Sequence, residues 1–293
     1  MTILGPSTVV TLPAPGVRPS DPAALARRIA EPPHASHVAA LAAGLPLSVD
    51  LTKGRRKNQG QSSACSAHSL TKGILNATGF DASDHVLYVM SGAREGDMSD
   101  DGRQLVTVLD TVRLQGVSPY EGDSPDGRYS DTWTAQDTSV LPPNVATPAT
   151  EEEIALAADR RIDLGQSSID PKAPDLQTRL MASLAAGHDV YLGTQIGRVF
   201  DNLGFGVVAQ PDPANDPTAG GHALRIVGYR TNADGSVDFL VENTWGIGWS
   251  GNGECWASLA WVANTWELHP LVPASPAPPT LLQRVEDELR AIV

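Results

Sequence analysis

The hydrophobic pattern of this 293-residue chain changes from helical to strand spacing at about Gly187. Before that point, apolar residues recur at helical spacing over 65–77, 84–90, 104–115, 150–159 and 176–186. After it, the pattern is typical of strands over 190–195, 223–229, 237–242 and 254–259. A series of helices followed by a series of strands predicts an α+β fold with two lobes.

Both ends of the chain differ from the middle. Residues 1–44 are rich in alanine and proline and are predicted to be an N-terminal extension, either an ordered arm or a short pro-segment. At the other end, five prolines predict a stiff linker over 270–279. Residues 280–293 then have the spacing of an amphipathic helix. This helix packs on its own protein or on a protein partner, and the pattern leaves both interpretations open.

Charge and cysteine content exclude several classes of protein. The formal net charge of −13 argues against a nucleic-acid partner, because phosphate binding requires a basic surface. No apolar run has the length of a membrane-spanning helix, and the start of the chain lacks the pattern of a secretory signal. Two cysteines cannot form a disulfide framework. We therefore expect a cytoplasmic protein with no membrane partner.

One of the two cysteines, Cys65, lies where a loop rich in glycine and serine is predicted to become a helix. A helix N-terminus and a neighbouring imidazolium both stabilise a thiolate, and His222 is the candidate imidazole. The amide of Asn243 would hold that imidazole in one orientation, and Trp245 would shield their hydrogen bond from water. The Gln59 side chain and the Cys65 backbone N–H would donate to a developing oxyanion. These residues predict a nucleophilic cysteine with its base.

In these segments the chain resembles the papain-like cysteine peptidases, specifically their bacterial, disulfide-free branch. In that family a glutamine precedes the nucleophile by six positions, as Gln59 precedes Cys65. The histidine and asparagine lie 157 (222 − 65) and 178 (243 − 65) residues after Cys65. In the family these two residues lie roughly 130–150 residues after the cysteine. The polar stretch 121–149 accounts for the longer spacing in this chain. The resemblance covers roughly residues 45–266 and rests on Gly221-His222-Ala223, Asn243-Thr244-Trp245-Gly246 and the segment before Cys65.

The resemblance implies a catalytic domain over 45–269. A helical lobe at about 60–130 would carry the cysteine. An antiparallel β-barrel-like lobe at about 131–269 would carry the histidine and asparagine, with the active site in the cleft between the lobes. The implied reaction is hydrolysis of peptide bonds in a peptide or protein substrate, through an acyl-enzyme and without a cofactor.

Three further residues are implied to line the substrate cleft: Gly102, Gly221 and Trp245. Ser66 departs from the family pattern, because the residue after the nucleophile is usually aromatic there. Two alternatives stay open. The N-terminal extension and the C-terminal helix also fit a papain-fold binding or assembly component with weak or no proteolysis. The sequence does not distinguish water from an amine as the second nucleophile, so an amide or acyl transferase with the same triad is the other alternative. A zinc site is not predicted, since Cys65 and His68 lack two further ligands. We interpret 1–44 as an ordered arm, because it lacks the long helical pattern of the family's inhibitory segment.

Overall fold

The structure is a computed structural model that describes residues 16–120 and 149–273, apart from 55, 61, 166 and 218. Within these ranges no helix is both long and apolar enough to cross a membrane. The predictions made for 1–15, for 121–148, for most of the linker and for the amphipathic helix 280–293 lie outside the described residues.

The helices follow the predicted periodicity, and several begin and end at the residues that favour capping. Asp21 accepts a hydrogen bond from Ala24 N at 2.8 Å at the start of the first helix. Thr150 and Glu153 form the predicted capping box. The described helices are α1 (Pro22–Ala30), α2 (Ala35–Ala43), α3 (Cys65–Thr78), α4 (Asp84–Glu95), α5 (Leu105–Leu114), α6 (Glu151–Ala158), α7 (Leu176–Ala185), α8 (Arg198–Asp201) and α9 (Leu259–Val262).

The strands form one large sheet and one small pair. The described strands are β1 (Val17–Arg18), β2 (Ser48–Asp50), β3 (Arg103–Gln104), β4 (Val190–Ile196), β5 (Val208–Ala209), β6 (Gly220–Thr231), β7 (Val237–Glu242), β8 (Glu254–Ser258) and β9 (Glu267–Pro270). The large sheet has the order β5-β8-β7-β6-β4-β9, with β2 also paired to β6. Its pairs are antiparallel except β5 with β8. The α+β prediction is therefore confirmed, although the described strands do not close into a barrel.

Two hydrophobic cores correspond to the two lobes. One core lies between the large sheet and α7, with Leu180, Leu224, Ile226 and Phe239 at its centre. The other joins α3, α4 and α5, and it also includes Tyr191 of β4 and Ala223 of β6. Because α3 packs directly on β6, the first turn of α3 lies against the strand that carries His222.

Packing at two of the predicted boundaries shows which core the chain joins there. Helix α6 was placed in the β lobe by the boundary at 131, but Ala157 packs with Val86 and Met90 of α4. The helical lobe therefore continues beyond the polar stretch. The linker was predicted to begin at 270, but Pro270 pairs within β9, and Leu271 and Val272 are buried. Apolar side chains that fill the core keep the chain in the body up to residue 272.

Residues 16–44, the described part of the N-terminal arm, contact both lobes. β1 pairs in parallel with β3, and Arg18 forms ion pairs with Glu95 and Asp97. Arg28 of α1 donates to Asp110 of α5 at 2.9 Å. Helix α2 packs against α7. The arm thus crosses from the helical lobe to the β lobe.

Candidate active site

Cys65 is the first residue of α3 and is completely buried. Its Sγ accepts a hydrogen bond from Ala223 N at 3.4 Å. Burial raises the pKa of the Cys65 thiol to about 12, and the backbone N–H groups of Ala223, Ser66 and Cys65 itself act in the opposite direction. In this state the cysteine is a protonated thiol, not the thiolate that a nucleophile requires.

His222 lies on β6, directly before the residue that contacts the cysteine sulfur. Its Nε2 is 2.8 Å from Asn243 Oδ1, and both side chains are buried. Burial lowers the pKa of His222 to about 4, although the bond to Asn243 opposes this shift. The ring of Trp245 lies 4.7 Å from the imidazole, centroid to centroid, and covers one face of the pair.

Gln59 belongs to the same group of side chains and is also buried. Its Oε1 accepts from Thr244 Oγ1 at 2.5 Å, which directs the amide nitrogen away from Thr244. That nitrogen donates to Ser62 O at 2.8 Å. An amide nitrogen carries two N–H groups, so one donor is left for another acceptor.

The structure brings Gln59, Cys65, His222 and Asn243 together from three separate parts of the chain. Sequence reasoning missed Thr244, whose hydroxyl orients Gln59 and whose backbone N–H donates to Asn243 Oδ1 at 2.7 Å. Its position beside Asn243 was the only signal, because a threonine in a strand-to-loop segment is ordinary.

Asp100 was missed as well. It accepts hydrogen bonds from Ser63 N at 3.1 Å and from the Tyr88 hydroxyl at 2.9 Å, so it fixes the loop before the cysteine. The same hydroxyl accepts from Gly102 N at 3.2 Å. An aspartate in a polar loop carries no sequence signal for such a role.

The fold that carries these residues is similar to that of solved cysteine proteases. The chain is similar to xylellain, a cysteine protease from Xylella fastidiosa, with a TM-score of 0.70 and 23% identity over 92% of this chain and 100% of that one. It is also similar to procathepsin B S9 from Trypanosoma congolense, with a TM-score of 0.63 and 14% identity over 89% of this chain and 87% of the other.

The chain has the papain-like fold. Bromelain from Ananas comosus, solved in complex with the E64 inhibitor, shares it with a TM-score of 0.54 and 16% identity, over 78% of this chain and 100% of bromelain. No protein-family model and no curated protein sequence matches the chain.

Within the papain-like fold, the backbone of the arm lies directly over the cysteine. A methyl group added at Gly16 would lie 2.5 Å from Cys65 Sγ and 2.6 Å from the carbonyl oxygen of Ser63. Gly16 N donates to the carbonyl oxygen of Gly221 at 2.9 Å. Gly102, at φ +83°, is so close to the arm that a Cβ there would overlap Gly16. The arm therefore runs between the two glycines that were predicted to line the cleft.

The residues after Gly16 continue along the cleft. Val17 is buried, and a Cβ on Gly221 would collide with its carbonyl oxygen. Ser20 donates from its hydroxyl to Glu267 at 2.7 Å and from its backbone N–H to the same carboxylate at 3.2 Å. We call residues 16–20 the cleft segment. It covers the cysteine together with Ala223, whose N–H donates to the sulfur.

Ser66 stands where the papain-like family usually has an aromatic residue, and an aromatic side chain reaches it from another strand. The hydroxyl of Tyr191, on β4, donates to the carbonyl oxygen of Ser66 at 2.9 Å. Tyr191 is fully buried and packs in the same core as Cys65. The position thus has an aromatic neighbour even though its own side chain is small.

Buried charges hold together the strands that carry the histidine and the asparagine. Arg225 is three residues after His222 on β6, and it forms ion pairs with Asp189 and, at 2.5 Å, with Glu242 at the end of β7. All three side chains are nearly inaccessible to solvent. Asn243 follows Glu242 directly, so the ion pair between Arg225 and Glu242 fixes the distance of Asn243 from β6.

Arg225→Met is expected to lower the free energy of unfolding by roughly 3–5 kcal/mol, because it leaves the buried carboxylate of Asp189 without its cation. Glu242 also loses one partner and keeps only its ion pair with Arg56. Urea unfolding followed by circular dichroism measures the change. Arg230→Met is the matched control on the same strand, since Arg230 pairs with Asp238 but its side chain is 40% exposed. The control should cost no more than about 1 kcal/mol. Equal losses for the two variants would contradict the structural role of the buried ion pairs.

Proposed function

We propose that the chain is a papain-like cysteine peptidase that its N-terminal arm keeps in a closed, inactive state. The observation that carries the proposal is the contact between Cys65 Sγ and the residue next to His222, whose Nε2 is bound to Asn243. A cysteine at a helix N-terminus, an imidazole beside it and a fixed orienting amide are the parts of a nucleophilic site. We also propose a cytoplasmic location, where both thiols would stay reduced.

In the open state, the reaction would begin when the Cys65 thiolate attacks the carbonyl carbon of a peptide bond. A C–S bond forms, and the carbonyl electrons move to oxygen. The C–N bond then breaks as protonated His222 gives its proton to the leaving amine nitrogen. This leaves a thioester between Cys65 and the acyl part of the substrate.

Water completes the cycle. Neutral His222 takes a proton from the attacking water, whose oxygen forms a bond to the thioester carbon. The C–S bond breaks, which releases the carboxylic acid product and returns the sulfur to its initial state. Asn243 would hold the imidazole orientation through both proton transfers.

The oxyanion of each tetrahedral intermediate needs donors that are already in place. The second N–H of Gln59 and the backbone N–H of Cys65 are the candidates, because Thr244 and Ser62 restrict the rotation of the Gln59 amide. Gly102 and Gly221 would bind the substrate backbone. In the closed state both of them lie against the arm.

The closed state would be inactive for two reasons. The cleft segment occupies the space that a substrate needs. Burial also favours the neutral forms of both reacting groups, since it raises the pKa of Cys65 to about 12 and lowers that of His222 to about 4. Removal of the arm admits water, which lowers the pKa of Cys65 and raises the pKa of His222. The pair is then favoured as a thiolate beside an imidazolium.

Chemical modification with mass mapping tests the proposal on the Gly16→Val protein, because a Cβ at residue 16 would collide with Cys65 Sγ and open the cleft. A peptidyl epoxide is expected to modify Cys65 and not Cys255, and to react faster with the folded protein than with the same cysteine in urea. The unfolded protein is the control, because only a folded site activates the thiol. Reaction of Cys65 exclusively after unfolding would contradict the proposal. Analysis of the products formed with and without an added amine distinguishes hydrolysis, in which water accepts the acyl group, from transfer to the amine.

A further inference from the structure

An arginine of the cleft segment lies on two carboxylates of the helical lobe. Arg18 Nη1 donates to Asp97 Oδ2 at 3.0 Å, and its Nη2 donates to Glu95 Oε2. Glu95 is the last residue of α4, and Asp97 follows it by two positions. We call Glu95 and Asp97 the carboxylate pair. One guanidinium bridges both members, which suits a planar cation with several N–H groups in a fixed fork.

The body of the protein holds the carboxylate pair in place without the arm. Gln104 N, on β3, donates to Glu95 Oε1 at 2.8 Å. Ser99 donates to Asp97 Oδ1 from its hydroxyl at 2.6 Å and from its backbone N–H at 2.9 Å. These bonds from Ser99 lower the pKa of Asp97, which favours its charged form. In each carboxylate one oxygen is therefore fixed by the body, and the other oxygen binds Arg18.

The carboxylate pair lies close to the nucleophile along the path of the arm. The backbone of Gly16 lies over Cys65, and Arg18 is two residues farther along the same segment. Successive residues of an extended chain advance by roughly 3.3 Å, so this step covers about 7 Å. A peptide that replaces the cleft segment would thus meet the carboxylate pair within a few residues of its scissile bond.

The nearest cation of the body is used elsewhere. Arg103 is fully buried, and its guanidinium donates to three backbone carbonyl oxygens at 3.3, 2.9 and 2.9 Å. Within the described ranges, the ion pairs of Glu95 and Asp97 are those with Arg18. When the arm leaves, two neighbouring negative charges face the open cleft, and they favour another cation in the same place.

Two other carboxylates that contact the arm keep a partner in the body. Asp110 accepts from Arg113 of its own helix at 3.2 Å. Glu267 lies 2.8 Å from His269 Nε2. The carboxylate pair differs from both, because its cationic partner belongs to the arm and leaves with it. The arm thus shows which chemical group this part of the cleft binds.

We propose that the carboxylate pair is a specificity site of the open cleft, which selects peptides with an arginine in the place that Arg18 occupies. Its role in choosing substrates rests on the function proposed above. The binding of arginine does not, because it is measured without hydrolysis. A lysine ammonium is a compact charge without the guanidinium fork, and citrulline has the shape of arginine without its charge, so both should bind less tightly.

The test measures peptide binding to the full-length Gly16→Val protein that also carries Cys65→Ala, so that no peptide is consumed. The probes are blocked, otherwise neutral octapeptides in which one arginine is stepped along the sequence. The same peptides with citrulline at that position are their partners. At one position the arginine peptide should bind about tenfold more tightly than its partner, by isothermal titration calorimetry. This ratio should fall below about threefold in roughly 1 M salt.

Neutralising the carboxylate pair separates this site from the net charge of the protein. In Glu95→Gln with Asp97→Asn, the ratio of the two dissociation constants should fall to within about twofold of unity. The control is Glu151→Gln with Glu152→Gln, which makes the same change in net charge at the exposed start of α6. It should keep the tenfold ratio. Arg18→Gln vacates the carboxylate pair without adding bulk, so it serves as a second background if Gly16→Val does not fold.

Two results would overturn the proposal. One is equal binding of arginine and citrulline peptides at every position, including no binding of either. The other is an arginine preference that survives neutralisation of the carboxylate pair, or that the control variant loses equally. Hydrolysis is measured separately in Gly16→Val with Cys65 intact. Arginine preference without hydrolysis would contradict the proposed function and support the site, whereas hydrolysis without the preference would do the reverse.

Discussion

Gly16→Val is expected to increase the rate at which a peptidyl epoxide modifies Cys65 by about 10- to 100-fold. The added Cβ would lie 2.5 Å from Cys65 Sγ and 2.6 Å from the Ser63 carbonyl oxygen, so the cleft segment cannot keep its position. Overpacking of this kind costs roughly 1–3 kcal/mol, and about 1.4 kcal/mol corresponds to a factor of ten in the closing equilibrium. The second-order rate constant of modification, measured by intact mass, gives the effect directly.

Ala26→Val is the matched control for this experiment. It adds a similar amount of apolar volume to the same arm, but on an exposed face of α1. Its modification rate should remain within about twofold of the parent, as is usual for surface changes away from special contacts. A Gly16→Val protein with the parent rate would show that the cleft segment does not limit access to the cysteine.

Cys65→Ala should abolish peptide hydrolysis when it is introduced into the Gly16→Val protein, in which the cleft is open. The expected loss in kcat is on the order of 10⁵- to 10⁶-fold, comparable to removal of the nucleophile from a serine peptidase. The open background is essential, because the closed arm by itself would hide the effect. Hydrolysis of a fluorogenic peptide measures the loss, and peptide mapping confirms that no labelled Cys65 remains.

Cys255→Ala tests whether the second cysteine contributes. Cys255 lies on β8 in the core of the β lobe, and burial raises the pKa of its thiol to about 12. It lies outside the proposed site, so hydrolysis should change by less than about twofold in the same open background. If activity persisted in Cys65→Ala and vanished in Cys255→Ala, the assignment of the nucleophile would be wrong.

The sequence predicted the elements that depend on local periodicity. The N-terminus of α3 at Cys65 and the capping box of α6 were predicted from side chains that act within a few residues. The start of β6 was not, because Gly220, Gly221 and His222 have weak strand preference. They are extended because they pair with β4, opposite Ile196, Gln195 and Thr194.

The sequence pattern did not predict that the arm covers the site. It depends on the close approach of Gly16, Gly102 and Gly221, which are far apart along the chain. Each of them reads as an ordinary turn or linker glycine in isolation. Only the fold shows that a side chain at any of these positions would separate the arm from the cleft. The packing of α6 against α4 was not predicted for a similar reason, since order along the chain does not determine which core a helix joins.

The covalent continuity of the arm with the body has a consequence for how the cleft is kept closed. From the cleft segment the chain passes through α1 and α2 into β2, which pairs with β6. A tethered segment acts at a fixed effective concentration, typically in the millimolar range for short connections. Closure is therefore independent of how dilute the protein is. A cut anywhere between the cleft segment and β2 would convert it into an ordinary bimolecular equilibrium, in which the released piece is lost on dilution.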